Sequence, residues 1–138
     1  MKEPELIKGN IFSDSRGKLF HVNNFNLSPI KRMYIIENIN ISYHRGWKGH
    51  SIEKRWFYCQ MGEIEIHVVS IDCFKTKKPK IDIFNLNEEK LNVLFVPNGY
   101  ATIIKQKVNN SRLVAMSDYL IGESNDENLR WDHNFFKK

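Results

Sequence analysis

Short runs of β-branched and aromatic residues recur along the chain, and each run is bounded by Gly, Pro, Asn or Asp. This pattern is typical of β-strands separated by turns. It predicts strands near residues 5–12, 18–24, 31–39, 43–49, 54–60, 63–73, 80–86, 91–96, 101–108 and 112–120. About ten short strands in 138 residues indicate an antiparallel sandwich or barrel.

The clearest alternation of apolar and polar side chains lies in residues 63–68, Glu-Ile-Glu-Ile-His-Val. In a strand, Ile64, Ile66 and Val68 face one side because successive side chains alternate. Residues 60–62, just before this strand, are predicted to form a tight turn, because the last of them, Gly62, can adopt a positive φ.

A helical pattern is expected only near the end of the chain. No stretch before residue 120 shows a sustained 3.6-residue period, whereas residues 124–131 predict a short C-terminal helix that Ser124 or Asn125 opens. The length predicts a single domain over residues 1–138.

The composition is that of an ordinary globular protein, with 41% hydrophobic and 27% charged residues. No apolar run approaches the roughly 20 residues of a membrane helix, and the first residues form no apolar signal segment. We therefore expect a cytoplasmic protein without membrane contact. Cys59 and Cys73 are expected to be small reduced thiols, since both lie in apolar stretches.

The net charge of +5 fits either a nucleic acid or a small anionic ligand. The only dense basic run, residues 75–80, carries a proline between two predicted strands and is interpreted as a solvated hairpin tip. Charge alone does not decide between the two ligands.

Residues 45–55 are rich in polar groups beside two glycines, where a ligand can approach the backbone. Lys48 and His50 share one face of a strand, and Glu53 and Arg55 share the face of Phe57 on the next strand. If that face is the inner one, these charges persist only if paired or used by a ligand. Alternatively, His50 is a hydrogen-bonded structural residue and Glu53–Arg55 a surface ion pair.

Four segments resemble the cupin family of deoxythymidine-diphosphate (dTDP)-sugar 3,5-epimerases and 3,4-ketoisomerases. Residues 12–19 resemble the family's D-x-R-G-x-(L/F), Arg45-Gly46 its R-G, and residues 96–101 its I-P-x-G-F-A. Residues 117–119 followed by 129–132 resemble the T-D-x-Y and I-R-W-D of the epimerases, although the chain length is closer to the ketoisomerases. The resemblance covers nearly the whole chain and implies an all-β cupin-type antiparallel jelly-roll barrel that forms a homodimer.

The sequence departs from the family at its active-site histidines. The first histidine, which is the epimerase base, falls on Lys48, and the histidine after P-x-G-F-A falls on Thr102. The second histidine of the ketoisomerases falls on His50, and the active-site lysine falls on Arg55. Of the ligands that metal-binding cupins use, only His50 and Glu53 remain, so neither a metal nor another cofactor is predicted.

The resemblance implies an isomerase or epimerase that acts on a dTDP-4-keto-6-deoxyhexose, in the synthesis of sugars for cell-surface polysaccharide. His50 is the expected base that removes a proton next to the ketone, and Lys48 is the alternative. Lys48 or Arg55 would stabilise the enolate, and Tyr34 or Tyr119 would supply the acid.

Substrate-binding roles are expected for Arg16 and Arg45 on the diphosphate and for the polar pair Glu53 and Arg55. Trp47 is a candidate for stacking on thymine or sugar. A non-catalytic cupin that binds a sugar or nucleotide sugar is the second hypothesis, favoured by the lost histidines. A basic nucleic-acid-binding barrel is the third, and the sequence lacks the stripe of aromatic and cationic residues that it would need.

Overall fold

The computed structural model describes residues 2–125 and 129–137. These residues form strands and one short helix, α1 at Asp72–Thr76. The strands are β1 Glu5–Ile7, β2 Asn10–Asp14, β3 Gly17–His21, β4 Arg32–Ile36, β5 Arg45–His50, β6 Arg55–Met61, β7 Glu63–Ser70, β8 Asp82–Asn87, β9 Val93–Val96, β10 Tyr100–Gln106, β11 Arg112–Ser117 and β12 Leu129–Arg130.

Two five-stranded antiparallel sheets make up the body of the fold. One sheet has the strand order β1-β9-β6-β11-β4, and the other has the order β12-β5-β10-β7-β8. Strands β2 and β3 form a separate hairpin. Non-consecutive neighbours in both sheets mean that the chain crosses repeatedly between them, as in a jelly roll.

The main core lies between the two sheets, because the inward side chains of both sheets are apolar. Phe57 and Leu113 from one sheet pack with Ile64, Ile66 and Val68 from the other. The alternation predicted for residues 63–68 is confirmed, since all three apolar residues are buried.

Two smaller clusters cover the outer faces of the sheets. On the outside of β5 and β10, Trp47 and Ile103 pack with Phe74 of α1 and with Trp131 and Phe136 of the C-terminal segment. The indole of Trp131 lies directly on β5, where a methyl group added to Gly49 would be 3.0 Å from Trp131 Cζ3. The C-terminal segment therefore covers the outer side of the strand that carries Lys48 and His50.

The predicted all-β antiparallel jelly roll is confirmed, and a strand overlaps each predicted range. The positive φ predicted for Gly62 is also confirmed, at 80°. No helix in the described part of the chain is long and apolar enough to span a membrane.

Three local predictions were wrong. Residues 5–12 are split between β1 and β2, and the strand predicted over 63–73 ends at Ser70, before α1. The predicted C-terminal helix is replaced at Leu129–Arg130 by β12, and its residues 126–128 lie outside the described residues. The helix prediction failed because pairing of Leu129 with Gly49 and of Arg130 with Lys48 provides backbone partners that a local pattern does not reveal.

Candidate functional site

A cavity of about 500 Å³ opens at one end of the sandwich. Its walls come from both sheets, with apolar groups such as Phe57, Val96 and Ile104 and polar groups from β4, β5, β6, β10 and β12. This volume and this mixture are usual for a site that binds a small molecule.

Lys48 and His50 lie on the cavity side of β5, as their shared spacing predicts. The strand pairs Lys48 with Thr102 and His50 with Tyr100, and all four residues line the cavity. Because side chains alternate, the intervening Gly49 faces the outer side, where Trp131 covers it.

Glu53 is the centre of a hydrogen-bonded network at the edge of the cavity. Its Oε1 accepts from Arg55 Nη1 at 2.8 Å, from Ser117 Oγ at 2.8 Å and from Arg32 Nη2 at 3.2 Å. Its Oε2 accepts from Ser124 Oγ at 2.8 Å. Both oxygens are therefore engaged by the protein, so Glu53 holds Arg55 in place, and the sequence alone does not reveal this role.

The Glu53 network keeps this carboxylate ionised. Burial opposes the charge, but the hydrogen bonds from Ser124, Ser117 and Arg55 and the positive charge of Arg55 outweigh it and lower the pKa of Glu53 from 4.5 to about 2. Arg55, which is 5% exposed, is thus a buried cation with a permanently charged partner.

Arg55 also connects this network to His50. Its Nη2 lies 3.4 Å from His50 Nδ1. A guanidinium group can only donate a hydrogen bond, so in this contact Nδ1 is the ring nitrogen that carries the lone pair. At 3.4 Å the contact is long and can give way to a bound molecule.

Lys48 lies in a positively charged part of the cavity. Burial, followed by the charges of Arg130, Arg55 and Arg32, lowers its pKa, and the charge of Glu53 opposes that shift only in part. Lys48 therefore loses its proton at a lower pH than a solvent-exposed lysine does.

Two further predicted site residues, Tyr34 of β4 and Arg45 of β5, line the cavity. The ring of Tyr34 lies under the guanidinium group of Arg32, with 5.2 Å between the ring centroid and Cζ. Arg45 Nε donates to Asn38 Oδ1 at 3.0 Å, which orients the guanidinium group at the cavity rim.

Three predicted site residues do not have the placement that their roles require. Arg16 lies at the tip of the β2–β3 hairpin, pairs with Asp14 at 2.7 Å and has a side chain 84% exposed, away from this chain's cavity. Tyr119 lies outside the cavity, and its ring faces Lys31 Nζ at 5.9 Å. Trp47 borders the cavity, but its indole packs against Phe74 on the outer side of β5 and is not available for stacking.

Sequence reasoning missed two cations of the site. Arg130 of β12 lines the cavity beside Lys48, and Arg32 binds Glu53 from β4. The segment 129–132, which carries part of the family resemblance, was the one signal for Arg130. Nothing in the local pattern around Arg32 indicates its partner, since Glu53 is 21 residues away.

Within residues 2–125 and 129–137, no three His, Cys, Asp or Glu side chains are grouped so that they could hold a metal ion.

Comparisons with known proteins give similarity at the level of structure. No protein-family model matches the sequence, and no curated protein matches it. A 3,4-ketoisomerase from Thermoanaerobacterium thermosaccharolyticum, solved with TDP-4-keto-6-deoxyglucose, is 19% identical with a TM-score of 0.72, and the match covers 99% of this chain and 92% of that one.

Two more similar structures represent both reaction types. The TDP-quinovose 3,4-ketoisomerase from Campylobacter jejuni is 18% identical, with a TM-score of 0.71 and complete coverage of both chains. The dTDP-4-dehydrorhamnose 3,5-epimerase from Bacillus anthracis, solved with TDP and PPi, is 15% identical, with a TM-score of 0.74 and coverage of 98% of this chain and 83% of that one. The chain therefore has the cupin jelly-roll fold that the dTDP-sugar 3,4-ketoisomerases and 3,5-epimerases share.

Proposed function

We propose that the protein is an isomerase or epimerase that acts on a dTDP-4-keto-6-deoxyhexose by removing a proton next to the ketone. The observation that carries this proposal is that Lys48 and His50 from one sheet and Arg55 from the other line the same cavity, together with apolar groups such as Phe57 and Ile104. Similar structures with this fold hold TDP or a TDP-4-keto sugar, which supports the substrate class.

His50 is the proposed base. Its Nδ1 carries the lone pair in the contact with Arg55, so this nitrogen accepts the proton when substrate displaces that long contact. An imidazole titrates near neutrality, which suits removal of a proton from a carbon next to a carbonyl group.

Arg55 is the cation proposed to stabilise the enolate. The negative charge of an enolate rests on the former ketone oxygen, and a fixed guanidinium group in a protected cavity stabilises it without reorganisation. Glu53 and Ser117 hold Arg55 in a single orientation, which is the arrangement that such stabilisation needs.

Tyr34 is the acid that we propose for return of the proton, because its side chain lines the cavity whereas that of Tyr119 does not. Arg45 and Arg130 are proposed to bind the diphosphate, since both are cations of the cavity wall and a guanidinium fork suits phosphate oxygens. The overall charge of +5 would assist the approach of an anionic substrate.

A homodimer is the proposed assembly. The β2–β3 hairpin exposes Ile11, Phe12, Leu19 and Phe20, and strand β4 lies at a sheet edge with Met33 70% exposed. A second copy would cover this apolar surface, and Arg16 on the same hairpin would then be carried toward the partner. Location in the cytoplasm and use of the product for polysaccharide stay predictions.

The reaction is tested by hydrogen exchange into TDP-4-keto-6-deoxyglucose in deuterated water, followed by NMR. We expect loss of the C3 proton signal, or of the C3 and C5 signals, and a rate lowered about 10²–10⁴-fold by His50→Gln, because the base is removed. His67→Gln is the matched control, since His67 lies on the outer face and binds Glu65 at 2.6 Å.

Exchange at an unchanged rate in His50→Gln would remove His50 from the base role. Absence of exchange together with saturable binding of the sugar nucleotide would favour a non-catalytic cupin. That second function has specific support, because Lys48 and Thr102 stand where the family has histidines.

A further inference from the structure

Lys48 lines the cavity and forms no ion pair with the residues that the structure describes, 2–125 and 129–137. Its side chain lies between Thr102 of β10 and Arg130 of β12, the residues paired with it on either side. No hydrogen bond or ion pair joins Lys48 to any of the residues that the structure describes. A partly buried lysine with this placement differs from the lysines at the surface, where water and carboxylates stabilise the ammonium form.

The neighbouring charges favour a neutral amine. Arg130, Arg55 and Arg32 are the cations that act on Lys48, and Glu53 is the acid that acts on it. Glu53 is already bound by Arg55 and Arg32, so little of its charge remains to hold an ammonium group. Desolvation beside other cations is a recognised way to activate a lysine as a nucleophile.

We propose that Lys48 forms an imine with the keto group of the substrate, so that the chain is an epimerase that works through covalent catalysis. This proposal rests on the proposed function, because it assumes that a 4-keto sugar nucleotide binds in the cavity. It assigns to Lys48 a bond-forming role in addition to the proton transfer assigned to His50.

The steps balance in atoms and electrons. The neutral Lys48 amine adds to C4 of the sugar, the ketone oxygen leaves as water, and the imine takes up one proton from solvent, which returns to solvent when the imine is hydrolysed at the end. The imine draws electrons from the neighbouring C–H bond, His50 takes that proton, and a neutral enamine forms. Return of a proton to the same carbon on the other face regenerates the imine, and addition of water releases the epimerised ketone and the free lysine.

An imine at C4 is compatible with only one of the two reaction types. Movement of the ketone from C4 to C3 would need a proton to be added at C4. With nitrogen bonded to C4, that step would leave the sugar attached to Lys48 through a secondary amine, and no product would be released. The imine is therefore compatible with epimerisation at C3 or C5 and not with ketone transfer.

The test uses the full chain with TDP-4-keto-6-deoxyglucose and sodium borohydride, followed by mass spectrometry. We expect the protein mass to rise by that of the sugar nucleotide less one oxygen atom, and digestion to place the added mass on Lys48. In water enriched in oxygen-18, the ketone oxygen should exchange at least tenfold faster with the wild type than with Lys48→Gln or Lys48→Arg. Lys105→Gln is the control, since Lys105 lies on the paired strand β10 and is absent from the cavity wall.

The outcomes distinguish this proposal from the isomerase proposal. Hydrogen exchange at carbon without trapping at Lys48 overturns the imine and leaves the isomerase in place, and so does release of a 3-keto sugar. Trapping at Lys48 without carbon exchange supports the imine and overturns the isomerase. If neither trapping at Lys48 nor hydrogen exchange at carbon is detected, both proposals are overturned. Added mass on a lysine other than Lys48 in the wild-type protein contradicts the role of Lys48, and this readout holds even if the Lys48 variants fail to fold.

Discussion

Glu53 shows how one carboxylate can organise the side chains around a cavity. It accepts hydrogen bonds from Arg55, Arg32, Ser117 and Ser124, which come from different segments of the chain. Removing one member of such a buried ionic network lowers the free energy of unfolding by more than the intact network adds to it, because a buried charge is left without its partner. Glu53 therefore stabilises the fold and fixes the cation that faces the cavity.

Replacement of Glu53 by Gln should lower the free energy of unfolding by about 3–5 kcal/mol at pH 7, because Arg55 and Arg32 lose their shared counter-ion. Chemical denaturation followed by circular dichroism measures this difference. Glu123→Gln is the control, since Glu123 forms an exposed pair with Lys31 and such pairs contribute at most about 1 kcal/mol. Equal stability of Glu53→Gln and wild type would contradict the assignment of Glu53 as an anchor.

The same variant also reveals a pH dependence. The folded-state pKa of Glu53 is depressed to about 2, so its contribution to stability is complete above its ordinary pKa of 4.5 and is lost as the pH falls toward 2. The stability gap between wild type and Glu53→Gln should therefore narrow over this interval. Taking the difference removes the effects of Glu65 and Asp14, whose pKa values are also lowered.

The site could be predicted from sequence where its residues are close together in the chain. Residues 45–55 contain Lys48, His50 and Arg55, and strand alternation was enough to place Lys48 with His50 on one face of β5 and Arg55 with Phe57 on one face of β6. Arg130 and Arg32 join them only through sheet pairing and long-range contacts. Trp47 was predicted to stack on the ligand, but its side chain lies on the outer face of β5. Strand alternation separates the two faces of a strand and does not reveal that an aromatic cluster covers the outer one.

At the scale of elements, the strands were predictable because each one carries its own apolar face and ends at turn residues. The alternation in β7 and the glycine before it are examples. The failures lie where a partner strand decides the structure. Leu129–Arg130 became β12 by pairing with β5, and residues 72–73, which were predicted as the end of a strand, begin α1.

The turn between β6 and β7 should not tolerate a side chain at Gly62. Gly62→Ala should lower the free energy of unfolding by about 1–3 kcal/mol, because φ is +80° and the new methyl group would collide with Ser111 Oγ. Gly122→Ala is the matched control, since its φ is +78° with nothing within 4 Å of the added methyl group. Thermal unfolding measures both, and equal losses would show that the contact with Ser111 is unimportant.

The whole molecule carries an apolar surface that the isolated chain leaves exposed. If the β2–β3 hairpin is covered by a second copy, Phe12→Glu should weaken self-association by about ten- to hundredfold, the equivalent of about 1.5–3 kcal/mol for one buried aromatic side chain. Sedimentation equilibrium measures this change. Ile83→Glu is the control, because Ile83 is similarly exposed on β8, in the other sheet. A monomeric wild type at all concentrations would contradict the homodimer.

The cover that the C-terminal segment forms over β5 has an optical consequence. The indole of Trp131 rests on Gly49, while Lys48 and His50 project from the opposite side of the same strand. The strand backbone thus separates a fluorophore from these two polar side chains. Any shift of β5 when the cavity fills would alter the packing of that ring, so the protein has a natural reporter of occupancy that needs no added dye.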